Sequence, residues 1–254
     1  MTEHFKKAEI QKLVSAGIAT MLTGEKGSGK TTIAMDIAKA LNLHFYSISM
    51  TRQTTLSHLM GFVSVNGTYI ESQLYKAATC GGLFLLDEID AADANVILSL
   101  NTIENGYISF PVGVVQIHED FRLVATANPQ DEHHSYVGRS RLDAATLDRF
   151  DIVIIPLDLN LEKSLVDSST TLKISALREI LKQNNSSKSV SMRDSLRYYK
   201  RKQLDLTEGF FERIIGDNPA VLQEFTNALN SMPKFIKQSD CETVHDLAEL
   251  IGVK

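Results

Sequence analysis

Gly24-Glu25-Lys26-Gly27-Ser28-Gly29-Lys30-Thr31 follows the apolar run Ile18–Leu22 and precedes a stretch in which Ile33, Ile37, Ala38 and Leu41 recur on one helical face. The octapeptide has the form G-x-x-x-x-G-K-[ST], set between a strand and a helix as such a loop must be. Its glycines let the backbone curl so that successive N–H groups converge, and the following helix adds its positive N-terminal end, which together make a cradle for β- and γ-phosphates. Lys30 supplies a full positive charge, and the Thr31 hydroxyl is placed to ligate Mg²⁺. Gly24, Glu25, Lys26, Gly27, Ser28, Gly29, Lys30, Thr31 and Thr32 are therefore the candidate ATP-binding residues.

Further along, Leu83-Phe84-Leu85-Leu86-Asp87-Glu88 reads as an apolar strand ending in two carboxylates. Buried side by side without a cation, two carboxylates repel and at least one takes up a proton. Beside Mg²⁺ their roles separate, Asp87 holding the metal shell and Glu88 orienting and deprotonating an attacking water.

Around these two motifs residues 18 to 156 repeat a short apolar run, a turn and an amphipathic stretch, the rhythm of strand and helix alternating about a parallel sheet. Five strands are expected, Ile18–Leu22, Phe45–Ser49, Leu83–Leu86, Phe121–Ala127 and Ile152–Ile155. Residues 60 to 71 and 107 to 117, with Gly61, Asn66-Gly67 and Gly113 among alternating apolar positions, read as two inserted hairpins. Beyond Pro156 helical periodicity takes over: Ile174, Leu177 and Leu181, then Met192, Leu196 and Tyr199, then Val221, Leu222, Phe225 and Leu229. The expected organisation is an α/β nucleotide-binding domain over 1–158 and a small helical lid domain over 159–254, with a loop from Asn184 to Ser189.

The charge sum of −5, from 26 Lys and Arg against 31 Asp and Glu, weighs against a chain that grips nucleic acid non-specifically. With 43% hydrophobic and 22% charged residues, the composition is that of an ordinary globular protein rather than a disordered or fibrous one. Cys80 and Cys241 are too few for a disulfide framework or a four-cysteine zinc cluster and suit free thiols in a reducing compartment. The charged start and the lack of any 18-residue apolar run lead us to expect a cytoplasmic chain that neither crosses a membrane nor is exported.

Together GEKGSGKT, LFLLDEID, Ala125-Thr126-Ala127-Asn128-Pro129 and Leu147-Asp148-Arg149-Phe150 resemble the AAA+ ATPases. The branch is the one holding MoxR-type ATPases, the nitric-oxide-reductase and Rubisco activators, dynein-like modules and chelatase motor subunits. Within it FRLVATANP, Tyr136-Val137-Gly138 and LDRF look most like the ATPase subunit of aerobic cobaltochelatase and its phage-encoded relatives. The resemblance covers about residues 10 to 200 and implies an AAA+ P-loop fold: a five-stranded parallel sheet with two inserted β-hairpins and a helical lid.

It also implies roles. Asn128 matches the sensor 1 residue, an amide able to donate to phosphate or water while accepting elsewhere. Arg149 matches the arginine finger that reaches a neighbouring subunit's γ-phosphate, with Arg139 and Arg141 as rival or auxiliary fingers. Arg193 matches sensor 2. The resemblance implies an ATP- and Mg²⁺-dependent ring, a hexamer, that remodels a protein partner, the partner carrying a von Willebrand A-type domain. A nucleic-acid motor or loader, and a nucleotide-gated scaffold with negligible turnover, are the alternative readings.

Three features invite other readings. Glu132, His133 and His134 beside Asp131 look like metal ligands, but adjacent histidines point apart and no further ligand has motif spacing, so a polar loop is expected. The run Arg197 to Lys202 suits either nucleic-acid contact or a helix with tyrosines packed inward and a solvated basic face, and the second is preferred. Phe62 and Tyr69 either grip a partner from the first hairpin or fill its small core.

Overall fold

The computed structural model describes residues 3–129, 142–186 and 188–232. The chain divides into two compact units, His4–Pro156 and Leu157 onward.

In the first unit the strands β1 (Thr20–Thr23), β2 (Phe45–Ser49), β5 (Gly82–Asp87), β8 (Phe121–Ala127) and β9 (Asp151–Ile154) form one five-stranded sheet in the order β2-β5-β8-β1-β9. Every neighbouring pair is parallel, with Leu86 opposite Ala125 and Thr23 opposite Ala127. These are the five expected strands with their ends moved by no more than two residues.

A sheet covered on both faces needs strands that are apolar on both faces, and β5 shows why the alternation seen in half-exposed strands is absent. Its Leu83 and Leu85 pack with Ile33, Ala34 and Ile37 of α2 (Lys30–Ala40) and with Ile10 and Val14 of α1 (Lys7–Ser15). Phe84 and Leu86 face the other way, onto Leu74, Ala77 and Ala78 of α4 (Gln73–Cys80) and Val96 and Ile97 of α5 (Ala94–Leu98).

The two insertions are hairpins, β3 (Phe62–Val63) with β4 (Tyr69–Ile70) after α3 (Leu56–Met60), and β6 (Tyr107–Phe110) with β7 (Gly113–Gln116). Tyr69 donates to the Met60 carbonyl at 2.6 Å and meets Tyr75 edge-on with ring centroids 5.0 Å apart, and its burial pushes the phenol up to about 12. Tyr69 thus ties its hairpin to the unit, whereas Phe62 is about half exposed.

The second unit holds α7 (Leu159–Leu165), α8 (Ser168–Gln183), α9 (Met192–Lys202), α10 (Phe210–Ile215) and α11 (Pro219–Ser231). Asp158, Asp167, Ser191 and Asn218 cap α7, α8, α9 and α11 through backbone N–H groups three residues on, each cap being worth about 0.5–2 kcal/mol. The core joins Leu172, Leu177, Ile180, Phe210, Val221 and Phe225.

One expected face is rotated. Met192, Ser195 and Tyr198 are the buried residues of α9, in place of Met192, Leu196 and Tyr199. The cause is polar as much as apolar: Ser195 donates to Glu162 from that face, while Tyr198 packs on Phe211 at 4.6 Å between ring centroids and accepts from Lys173 at 3.1 Å. Hydrophobic periodicity gives a serine no weight, so the apolar pattern alone places this face one residue too late. Among the described residues no helix is long and apolar enough to cross a membrane.

Candidate nucleotide site

The carboxyl ends of three adjacent strands, β5, β8 and β1, converge at the loop from Gly24 to Gly29, the crevice where ligands bind in open α/β sheets. Three glycines are required there by geometry, Gly27 among them at φ 81°. A Cβ on Gly24 would lie 2.2 Å from the Ile155 carbonyl oxygen, and Gly29, at φ 92°, turns the chain through the left-handed region directly into α2. Among the described residues no side chain caps that helix end at Gly29.

Lys30, the first residue of α2, folds its ammonium back over the loop and donates to the carbonyls of Gly24 at 2.5 Å and Glu25 at 2.9 Å. It also lies 3.4 Å from Oδ1 of Asn128, just beyond the end of β8 and only 6% exposed. At the next position of α2, Thr31 Oγ1 sits 3.1 and 3.2 Å from the two oxygens of Asp87 at the end of β5. Loop, strand-end carboxylate and strand-end amide are therefore joined by direct contacts.

Thr126, to which the motifs alone give no role, joins them further. Its Oγ1 donates to Asp87 Oδ1 at 2.6 Å and accepts from the Glu88 N–H at 2.9 Å. Glu88 itself has φ 59° and ψ 46°, a left-handed conformation that costs a side-chain-bearing residue about 1–2 kcal/mol. The register Leu86 opposite Ala125 is the signal that could have found Thr126, since it sets the next residues of both strands side by side.

The donor set fits a hard divalent cation. A hydroxyl and a carboxylate meet within hydrogen-bond distance, and Ser28 Oγ is buried with no hydrogen-bond partner among the described residues, inside a cradle that Gly24 keeps open. Mg²⁺ is characteristically held by one or two protein oxygens together with substrate phosphates. Among the described residues there is no group of three or more His, Cys, Asp or Glu able to hold a metal by themselves.

The remaining candidates are more dispersed. Glu25, Lys26 and Thr32 are exposed. Arg149 follows α6 (Ala144–Asp148) and precedes β9, with its guanidinium 3.8 Å from Glu104. Asp143 caps α6, and the bonds it accepts from Thr146, helped by Arg149, hold its carboxyl below the usual range. Arg193 is exposed in the first turn of α9. Arg139 and Arg141, Tyr136 to Gly138 and the segment with His133 and His134 lie outside the described residues, as does Cys241.

In the basic run of α9, Arg201 is spent on the carbonyls of Leu206 and Glu208 and Lys202 on Asp167, so these two cations serve the unit's own structure.

Comparison with known proteins gives this arrangement a family. Residues 19–150 match the model of the AAA domain, dynein-related subfamily. The chain is 33% identical over 127 residues to von Willebrand factor A domain-containing protein 8 of Mus musculus, a match covering 42% of this chain and 7% of that one. It is 28% identical over 137 residues to midasin of Giardia intestinalis, covering 51% and 3%. The chain thus spans less than a tenth of the length of either relative. Among solved structures, NtrX from Brucella abortus in complex with ADP superposes with a TM-score of 0.51 over 97% of this chain and 59% of that one at 16% identity, a likeness of fold.

Proposed function

The chain belongs to the dynein-related subfamily of AAA domains, and from that premise we propose that it is a Mg²⁺-dependent ATPase that assembles into a ring and remodels a protein partner, in the manner of MoxR-type and chelatase motor subunits. The observation that carries the reading is the continuous set of contacts from Lys30 to Asn128 and from Thr31 through Asp87 and Thr126 to Glu88.

In the proposed reaction, water attacks the γ-phosphorus, its oxygen forms a bond there, and the bond from phosphorus to the β,γ-bridging oxygen breaks. Glu88 orients the water and takes its proton. Lys30 neutralises β- and γ-phosphate oxygens, and Asn128, held beside Lys30, donates its amide to the γ-phosphate or the water. Thr31 and Asp87 would hold Mg²⁺, which when bound offsets charge developing on the phosphate oxygens. Arg149 acts in trans, on a neighbour's γ-phosphate, and Arg193 acts from the first turn of α9; a hexamer is the proposed ring. The name of the mouse relative supports a von Willebrand A-type partner.

Two variants test the core of this. Lys30→Ala is expected to abolish binding of a fluorescent ATP analogue, and Glu88→Gln to bind it while hardly releasing phosphate, because the amide keeps the shape and removes the base. Wild-type turnover in Glu88→Gln would overturn the assignment of the base, and a wild-type protein that releases no phosphate from ATP in Mg²⁺, even as a ring, would overturn the enzyme reading.

A further inference from the structure

We propose that Thr126 is a positioning residue that couples the metal-holding carboxylate to the water-activating glutamate through its single hydroxyl. The inference rests on the nucleotide-site reading above. A threonine hydroxyl has one proton and two acceptor lone pairs. Because an ionised carboxylate only accepts and a backbone N–H only donates, both partners fix the direction of the chain: Glu88 N–H to Thr126 Oγ1 at 2.9 Å, then Thr126 O–H to Asp87 Oδ1 at 2.6 Å. Thr126 is 1% exposed, so water does not compete for either bond.

The two bonds do different things. Thr31 lies at nearly equal distances from both Asp87 oxygens, 3.1 and 3.2 Å, and so favours neither; the short bond to Oδ1 is the one that sets how the carboxylate is turned. The bond from Glu88 holds a backbone that is otherwise unfavourable, with φ 59° at the residue where β5 ends. Orientation of the metal carboxylate and direction of the catalytic glutamate are therefore both tied to one buried side chain. A β-branched residue suits the task, since its χ1 is stiff and the hydroxyl is delivered without rotamer search.

Valine has the same shape and lacks the hydroxyl. Thr126→Val is expected to lower kcat about 10–100-fold, the range seen when partners of metal ligands are removed. Binding of mant-ADP in EDTA should stay within about twofold of wild type, while the gain in mant-ADP affinity on adding Mg²⁺ shrinks at least about fivefold. Thr126→Ser should restore both to within about threefold. Wild-type kcat and an intact Mg²⁺ gain in Thr126→Val would overturn the proposal, as would a serine variant as impaired as the valine one, which would mean that supplying the hydroxyl does not restore the site.

Weakened mant-ADP binding in EDTA, in proportion to the lost kcat, would overturn it too, since that is general damage to the site. If Thr126→Val fails to fold by circular dichroism, the serine variant decides between wild-type turnover and loss. A wild-type protein without ATPase activity refutes the enzymatic reading and leaves the mant-ADP comparison to judge Thr126; an active wild type with an equally active valine variant refutes only the role of Thr126.

Discussion

Asp87 in the α/β unit and Glu162 in the helical unit are both carboxylates drawn into hydrogen-bond networks, and the protein compensates them differently. Glu162, 3% exposed, is met by a two-pronged Arg178 guanidinium at 2.6 and 2.8 Å and by the Ser195 hydroxyl, while Arg178 spends its Nε on the Val190 carbonyl. Charge is answered by charge, and α7, α8 and the chain leading into α9 are pinned together. Asp87 is given two threonine hydroxyls. Dipoles orient a carboxylate without neutralising it, so its attraction for a cation survives. The contrast is between two ways of holding a carboxylate: among the described residues Glu162 is met by a cation, and Asp87 by hydroxyls.

The largest effects in the α/β unit are accordingly expected on turnover and not on stability. Arg149→Ala is expected to leave ATP affinity nearly intact yet cut kcat by about 10³–10⁵, the range for removal of an arginine finger. Its present partner is Glu104, 3.8 Å away and 59% exposed, a pair weak enough to give up when a phosphate is presented. Rings mixed from Arg149→Ala and Lys30→Ala subunits should recover part of the activity, because some interfaces then join an intact loop to an intact finger. No rescue in rings shown to be mixed would remove the trans role.

In the helical unit the effect should be structural. Arg178→Ala leaves Glu162 buried without its cation and is expected to cost about 3–5 kcal/mol in urea unfolding. Asp87→Asn, removing a charge that is met by hydroxyls among the described residues, should change unfolding by no more than about 1 kcal/mol while abolishing Mg²⁺-dependent turnover. Equal stability losses for the two variants would break the comparison.

The same contrast explains what could be read from the sequence. Gly24 to Thr31 and Asp87-Glu88 stand out as candidates because phosphate and metal chemistry demand fixed residue types at fixed spacing along the chain, and the five strands were legible because a doubly covered sheet needs continuous apolar runs. Thr126 was not, since its role arises between strands: only the parallel register brings it to Asp87. The Glu162, Arg178 and Ser195 triad was equally hidden, because its members are far apart in sequence and each belongs to a residue type normally placed on a surface. That triad also turned α9 away from the face its hydrophobic residues suggested. The caps of α7, α8, α9 and α11 carry a local signal, Asp, Ser or Asn just ahead of an apolar period, and could have been placed by it.

The smallest expected effect lies at Asp167, where charge does meet charge, but in water. Asp167 caps α8 through the Thr170 N–H at 2.7 Å and pairs with Lys202 at 2.6 Å. Burial by itself would raise its carboxyl, but the bonds from Lys202 and Thr170 outweigh it and hold the group below its ordinary value. With the folded value below the unfolded one, near 4, the stabilisation is present above about pH 4 and is lost as the pH falls through the folded value. The side chain is 40% exposed, so solvent and salt screen the pair, and its worth is about 0.5 kcal/mol rather than the several expected at Arg178.

Asp167→Asn isolates that charge, because asparagine caps a helix about as well as aspartate. The variant should lose about 0.5 kcal/mol in urea unfolding at about pH 7, less in molar salt, and nothing at about pH 2. A deficit that persists in acid would assign the effect to the cap, and one as large as that of Arg178→Ala would mean that burial is not what divides strong ion pairs from weak ones in this unit.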